Sequence, residues 1–156
     1  MPANSPRLKD LRRNLLNPGW LAFVWFGLTA GISLLETPVK FTAPTITRRV
    51  ALDVGRVVFT ALNRAELILL ILLLILVRVS GRSRQLFAAS AGLVLILLTQ
   101  TLWLLPELSA RTQSIVNGIE PGASIVHGAY VGLELAKLLL LLYIGFRAWV
   151  TPAPTH

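Results

Sequence analysis

At 156 residues, with 54% hydrophobic and 14% charged side chains and a mean hydropathy of +0.70, the chain is too apolar for an ordinary soluble domain. Its formal charge of +8 sits at the ends of apolar runs, without a basic patch interleaved with aromatics, which argues for membrane flanks and against a nucleic-acid partner. The chain contains no cysteine, and this excludes disulfides, thiolate metal sites, cysteine-ligated iron–sulfur clusters and thiol redox chemistry.

Residues 1–17 are polar, basic and proline-bearing and read as a cytoplasmic tail, with a short interfacial helix over 8–16. Arg7, Lys9, Arg12 and Arg13 precede the apolar run Gly19 to Leu35, which is longer than a signal-peptide core and lacks a clear cleavage site. That run is therefore read as the first membrane helix, opened by Asn17-Pro18, with Trp20 at belt height and a Gly27/Gly31 pair suited to close helix packing. Glu36-Thr37-Pro38 ends or kinks it, because the residue before proline is pushed out of helical geometry.

From Thr45 or Thr47 a second helix runs to Val79, ~50 Å long and thus longer than the ~30 Å hydrocarbon core, so its Arg48 to Arg56 portion projects beyond the outer surface. A turn over Ser80 to Gln85 leads to a third helix, Leu86 to Leu105, carrying Gln100 and Trp103. Pro106 to Gly122 reads as the second outer loop. A fourth helix spans the apolar run Ala123 to Phe146 and closes with Arg147 and Trp149, leaving 150–156 as a tail. The domain is thus 18–149. Arg7, Lys9, Arg12, Arg13, Arg78, Arg82, Arg84 and Arg147 on one side outnumber Lys40, Arg48, Arg49, Arg56 and Arg111 on the other, which places both termini in the cytoplasm.

His127, Tyr130, Glu134 and Lys137 interrupt the last apolar run and, at 100° per residue, share an arc of about 80°. Charged groups at this depth cost roughly 2.5–3.5 kcal/mol each on insertion scales unless paired or hydrated, so the stripe needs partners from other helices. Counting rises from the cytoplasmic ends puts Lys137 at ~15 Å, Glu66 at ~18 Å, Glu134 at ~20 Å, Gln100 at ~21 Å, Glu36 at ~26 Å and His127 near ~30 Å. Glu66 with Lys137, and Arg64 or Arg56 with Glu134 or Glu36, are the charge partners this ladder offers. Two readings follow. Either the charges staple the bundle in register, or Glu36, Asn63, Glu66, Gln100, His127, Tyr130, Glu134 and Lys137 line a polar pocket that opens outward and binds a ligand.

The pocket reading suits a small solute or cation, because a buried carboxylate beside a lysine is the arrangement on which ion-coupled binding depends. A di-iron centre of the usual helical pattern is not supported, for want of HxxxH and ExxH spacings; a mononuclear ion on Glu36, Glu66, His127 and Glu134 is the metal alternative, opposed by the ammonium of Lys137. No metal ligand set is assigned, and the sequence names no cofactor. Phosphate loops, dinucleotide fingerprints and a nucleophile–base pair are absent.

Gly27-x3-Gly31, Pro38-x5-Pro44, Gly55-x3-Phe59 and His127-Gly128 together resemble the bacterial four-helix membrane proteins related to a eukaryotic transmembrane protein associated with platinum-drug resistance. The resemblance covers about residues 19 to 146. More distantly, Trp25-Phe26-Gly27 followed by Leu35-Glu36-Thr37-Pro38 is similar to the first helix of copper-resistance membrane domains and of small haem-binding protoporphyrinogen oxidases. Those haem proteins carry a histidine before the tryptophan, where this chain has Ala22 and Val24.

The expectation is an all-α, four-helix integral protein of the bacterial inner membrane whose long second helix extends past the outer surface. Its expected partners are the bilayer, a small solute or cation, and a second copy or larger membrane complex. The alternatives are a metal- or haem-dependent oxidoreductase and an accessory subunit whose charge pairs hold helices together.

Overall fold

A computed structural model of the chain describes residues 16–81 and 83–150. The basic tail and interfacial helix expected before residue 16, Arg82 and the tail 151–156 lie outside the described residues. The described chain is all-helical and forms a four-helix bundle: α1 (Pro18–Thr42), α2 (Arg48–Val79), α3 (Arg84–Val116) and α4 (Val126–Val150). By length and composition all four can cross a bilayer, which makes this a multi-pass membrane protein. Below, the tail end of the bundle is the one where α1 begins and α4 finishes, and the loop end holds the connections 43–47 and 117–125.

Local chemistry sets the helix starts. Asn17 accepts the Gly19 N–H at 2.9 Å through Oδ1, with Pro18 in the first turn where its missing N–H costs nothing. Thr47 does the same for α2, accepting from the Val50 N–H. The α2–α3 connection turns at Gly81, whose φ of +58° suits a residue without Cβ.

Two expectations about helix ends are corrected. Of the two outcomes expected at Glu36-Thr37-Pro38, an end or a kink, the end is excluded, since α1 continues to Thr42; α3 does not stop at Leu105 but runs through Pro106 to Val116, so the loop expected from Pro106 shrinks to 117–125. The cause is the same in both: a π-helical segment, Gly31–Glu36 in α1 and Gln100–Leu104 in α3, ends two residues before the proline. Proline removes one hydrogen bond and crowds the carbonyl four residues back, and that carbonyl, of Leu34 or Leu102, lies inside the widened π turn. A helix already out of α register absorbs a proline that would otherwise break it.

The core fills the tail-end half. Ala22 and Trp25 of α1, Leu70, Leu73 and Val77 of α2, Leu86, Leu93 and Leu97 of α3, and Leu141, Ile144 and Ala148 of α4 form one buried cluster. α1 and α4 approach closely at Gly19 and Gly145. A Cβ on Gly19 would lie 3.0 Å from the Gly145 carbonyl oxygen, and one on Gly145 would lie 2.7 Å from the Phe23 ring. Edge-to-face pairs Trp20–Trp149 and Phe23–Phe146, with centroids 5.1 and 5.3 Å apart, continue the seam.

Gly27 and Gly31 take no part in it. A Cβ on either would meet nothing within 4 Å, so the expected close packing at this pair is corrected to the pair Gly19/Gly145. Gly19→Val should therefore lower the unfolding midpoint in detergent, with an overpacking cost of about 1–3 kcal/mol, whereas Gly27→Val should leave it unchanged. Equal effects of the two substitutions would contradict this packing.

Candidate functional site

Directly above the apolar core the bundle holds a buried polar cluster drawn from all four helices. Lys137 of α4 is fully buried, and its Nζ lies 2.6 and 2.8 Å from the two carboxylate oxygens of Glu66 on α2 and 2.9 Å from Glu134 Oε2 one turn back on α4. The same ammonium donates to Gln100 Oε1 on α3 at 3.1 Å, and the Gln100 amide donates to Glu134 Oε2 at 2.8 Å. The heights counted from the sequence thus bring Glu66, Gln100, Glu134 and Lys137 into one group.

α1 contributes the donors that sequence reasoning missed. Trp25 Nε1 and Thr29 Oγ1 donate to Glu66 Oε1 at 3.0 and 2.9 Å, and Ser33 Oγ donates to Glu134 Oε1 at 2.7 Å. These residues recur at intervals of four along one face of the helix. That periodicity, polar tips on an otherwise apolar run, was the available signal. The π segments matter here: Ser33 lies in one and Gln100 in the other, and both donate to Glu134. Re-registered turns of this kind recur at functional sites.

Asn63 is buried beside the cluster without joining it; its amide exchanges hydrogen bonds with Thr101 Oγ1 at 2.9 and 3.2 Å. Glu36 is farther out and pairs with Lys40 at 3.3 Å. The expected partnership of Arg56 or Arg64 with Glu36 or Glu134 is corrected. Arg56 grips Asp53 at 2.7 Å, one turn away on its own helix, and Arg64 is exposed. Arg56 has a nearer partner on its own helix, and Arg64 points out of the bundle.

On the loop-end side of the cluster lies a cavity of about 250 Å³, bounded by all four helices. Glu134 and Ser33 form its polar floor. Phe59 and Tyr130, stacked edge-to-face at 5.7 Å, and leucines of α1, α2, α3 and α4 make mainly apolar walls. Lys40, Arg56 and His127 stand at its rim, with the Lys40 ammonium above the Phe59 ring at 5.7 Å. Lys40 lies across Gly55, where a Cβ would sit 2.8 Å from Nζ, so glycine there admits the lysine to the wall.

Of the eight residues read as pocket-lining, His127, Tyr130 and Glu134 line this cavity. Glu66, Gln100 and Lys137 lie in the sealed network below it. The mononuclear metal alternative is corrected: Glu36, Glu66, His127 and Glu134 are not assembled, and no group of three His, Asp or Glu among the described residues is placed to hold an ion. Comparison with protein-family models, curated proteins and solved structures finds no match.

The sealed network carries two carboxylates against one ammonium. Removing the ammonium should therefore be severe: Lys137→Met leaves two buried like charges and should cost about 3–5 kcal/mol, with Glu66→Gln in the same chain recovering part of the loss. Unfolding in mixed detergent measures both variants. A Lys137→Met protein as stable as the parent would remove the cluster from any role in holding the bundle.

Proposed function

We propose that this protein is an intramembrane binding protein for a small solute, taken up through the loop end of the bundle, and that the network beneath the cavity is its structural base. The observation that carries this reading is the division of labour at Glu134. It belongs to the sealed network through Gln100 and Lys137, yet it also forms the floor of the cavity. A staple alone needs no cavity above it, and a cavity of this size approaches the range of small-ligand sites.

Binding is favoured over unaided transport because the tail-end half below the cluster is a packed core of Trp25, Leu73, Leu93, Leu97 and Leu141. The charge bias of the flanks supports an inner-membrane location with both termini cytoplasmic and the cavity facing outward. The resemblance to the four-helix family related to the platinum-resistance protein belongs to the same proposal, and three of its motif residues, Gly55, Phe59 and His127, line the cavity.

The natural lack of cysteine makes the test direct. Ser109→Cys, on the cavity wall, should react with a membrane-impermeant maleimide added from the outer side, and Ser90→Cys, in the core, should not. Benzyl alcohol, a neutral solute that fits the cavity, should slow labelling at Ser109→Cys several-fold while leaving the exposed control Ser124→Cys unchanged. Labelling of Ser109→Cys that is blocked from the outside, or indifferent to the solute, would overturn the reading.

A further inference from the structure

We propose that the cavity selects an amphiphilic organic cation, a primary ammonium on a small apolar body, and that Glu134, Ser33 and Tyr130 receive its ammonium; this rests on the binding reading above. Three independent observations meet here.

The first is charge. At the rim, Lys40 is paired with Glu36 and Arg56 with Asp53, so the ionised groups there balance. In the network beneath, whose uppermost member Glu134 forms the floor, Glu66 and Glu134 share the single ammonium of Lys137, so carboxylates outnumber ammonium groups there and leave surplus acceptor charge facing the cavity. An anion entering this cavity would meet that charge unscreened, whereas a cation would neutralise it.

The second is an unpartnered polar group. Tyr130 is 6% exposed and lines the cavity, yet its hydroxyl makes no hydrogen bond with any described residue. The phenol oxygen is open to the cavity, so a ligand can supply the partner that the protein does not. Glu134 Oε1, held only by the Ser33 hydroxyl, retains acceptor capacity, as do Ser33 Oγ and the phenol oxygen. Three acceptors on one cavity suit the three N–H bonds of a primary ammonium.

The third is the wall. Leu34, Val131 and Leu135 line the cavity and are also 54%, 43% and 48% exposed on the outside of the bundle, so its edge between α1 and α4 borders lipid. A solute with an apolar body can approach from the bilayer and lodge that body against Phe59 and the leucines while its charged end reaches the floor.

A matched series separates this inference from the reading on which it rests. Benzylammonium, benzyl alcohol and benzoate share one ring and differ in charge. Protection of Ser109→Cys from maleimide should need about tenfold less benzylammonium than benzyl alcohol, and benzoate should not protect. Glu134→Gln should abolish the advantage of the cation while protection by the alcohol persists. Tyr130→Phe, which leaves the Lys137 network untouched, should weaken benzylammonium several-fold and supplies the test should Glu134→Gln fail to fold. If the alcohol protects as well as the cation, the cavity binds solutes and the selectivity inference is wrong. If none of the three protects, both are wrong.

Discussion

The bundle is organised around one ammonium. Lys137 has no exposed surface, and an unpaired charge in such a place would cost far more than any helix–helix contact returns. Its neighbours therefore leave little freedom: two carboxylates and one amide oxygen converge on Nζ from α2, α3 and α4, and α1 closes the far sides of both carboxylates with three donors. Each helix supplies at least one member, so a slide or rotation of any of them would strand a buried polar group. In a lipid setting, where apolar surfaces gain little by pairing with each other over pairing with lipid tails, such a network fixes register in a way that leucine packing cannot.

The two π segments and the two prolines act together in that arrangement. A proline in mid-helix normally ends or bends it, yet α1 and α3 both pass through theirs, each after a widened turn. The same turns carry Ser33 and Gln100 to Glu134. Beyond them the helices continue to Thr42 and Val116, and their extended ends enclose the cavity that shorter helices would leave open. The feature that places the network and the feature that roofs the cavity are thus one local departure from α geometry, made twice.

Much of this could be read from residue positions. The four apolar runs, the excess length of α2 and the common depth of Glu66, Gln100, Glu134 and Lys137 follow from hydropathy and a rise of ~1.5 Å per residue, because these depend only on spacing along one helix. The Glu66–Lys137 pair followed from depth and sign. What escaped was what depends on rotation between helices or on backbone register. Pro38 reads as an end or a kink and Pro106 as the start of a loop, because a π turn has no sequence signature of its own. Gly27 and Gly31 looked like a packing seam, but their face points away from every neighbour, whereas Gly19 and Gly145 fit the small-residue rule from positions no motif flags. The eight polar residues divide in the same way: depth places them near one level, and only rotation decides that Tyr130 meets the cavity while Lys137 lies beneath it.

Lys137 bridges two carboxylates inside the bundle, and solid-state NMR on the protein in lipid bilayers measures that without altering a residue. The chain has three lysines, Lys9, Lys40 and Lys137, so an ammonium nitrogen coupled to glutamate carboxyl carbons is readily assigned. The structure predicts two such carbons, of Glu66 and Glu134, at about 3–4 Å from the Lys137 nitrogen. A Lys137 nitrogen with no carboxyl carbon within about 6 Å would contradict it, since a gap that wide exceeds any hydrogen-bonded ion pair.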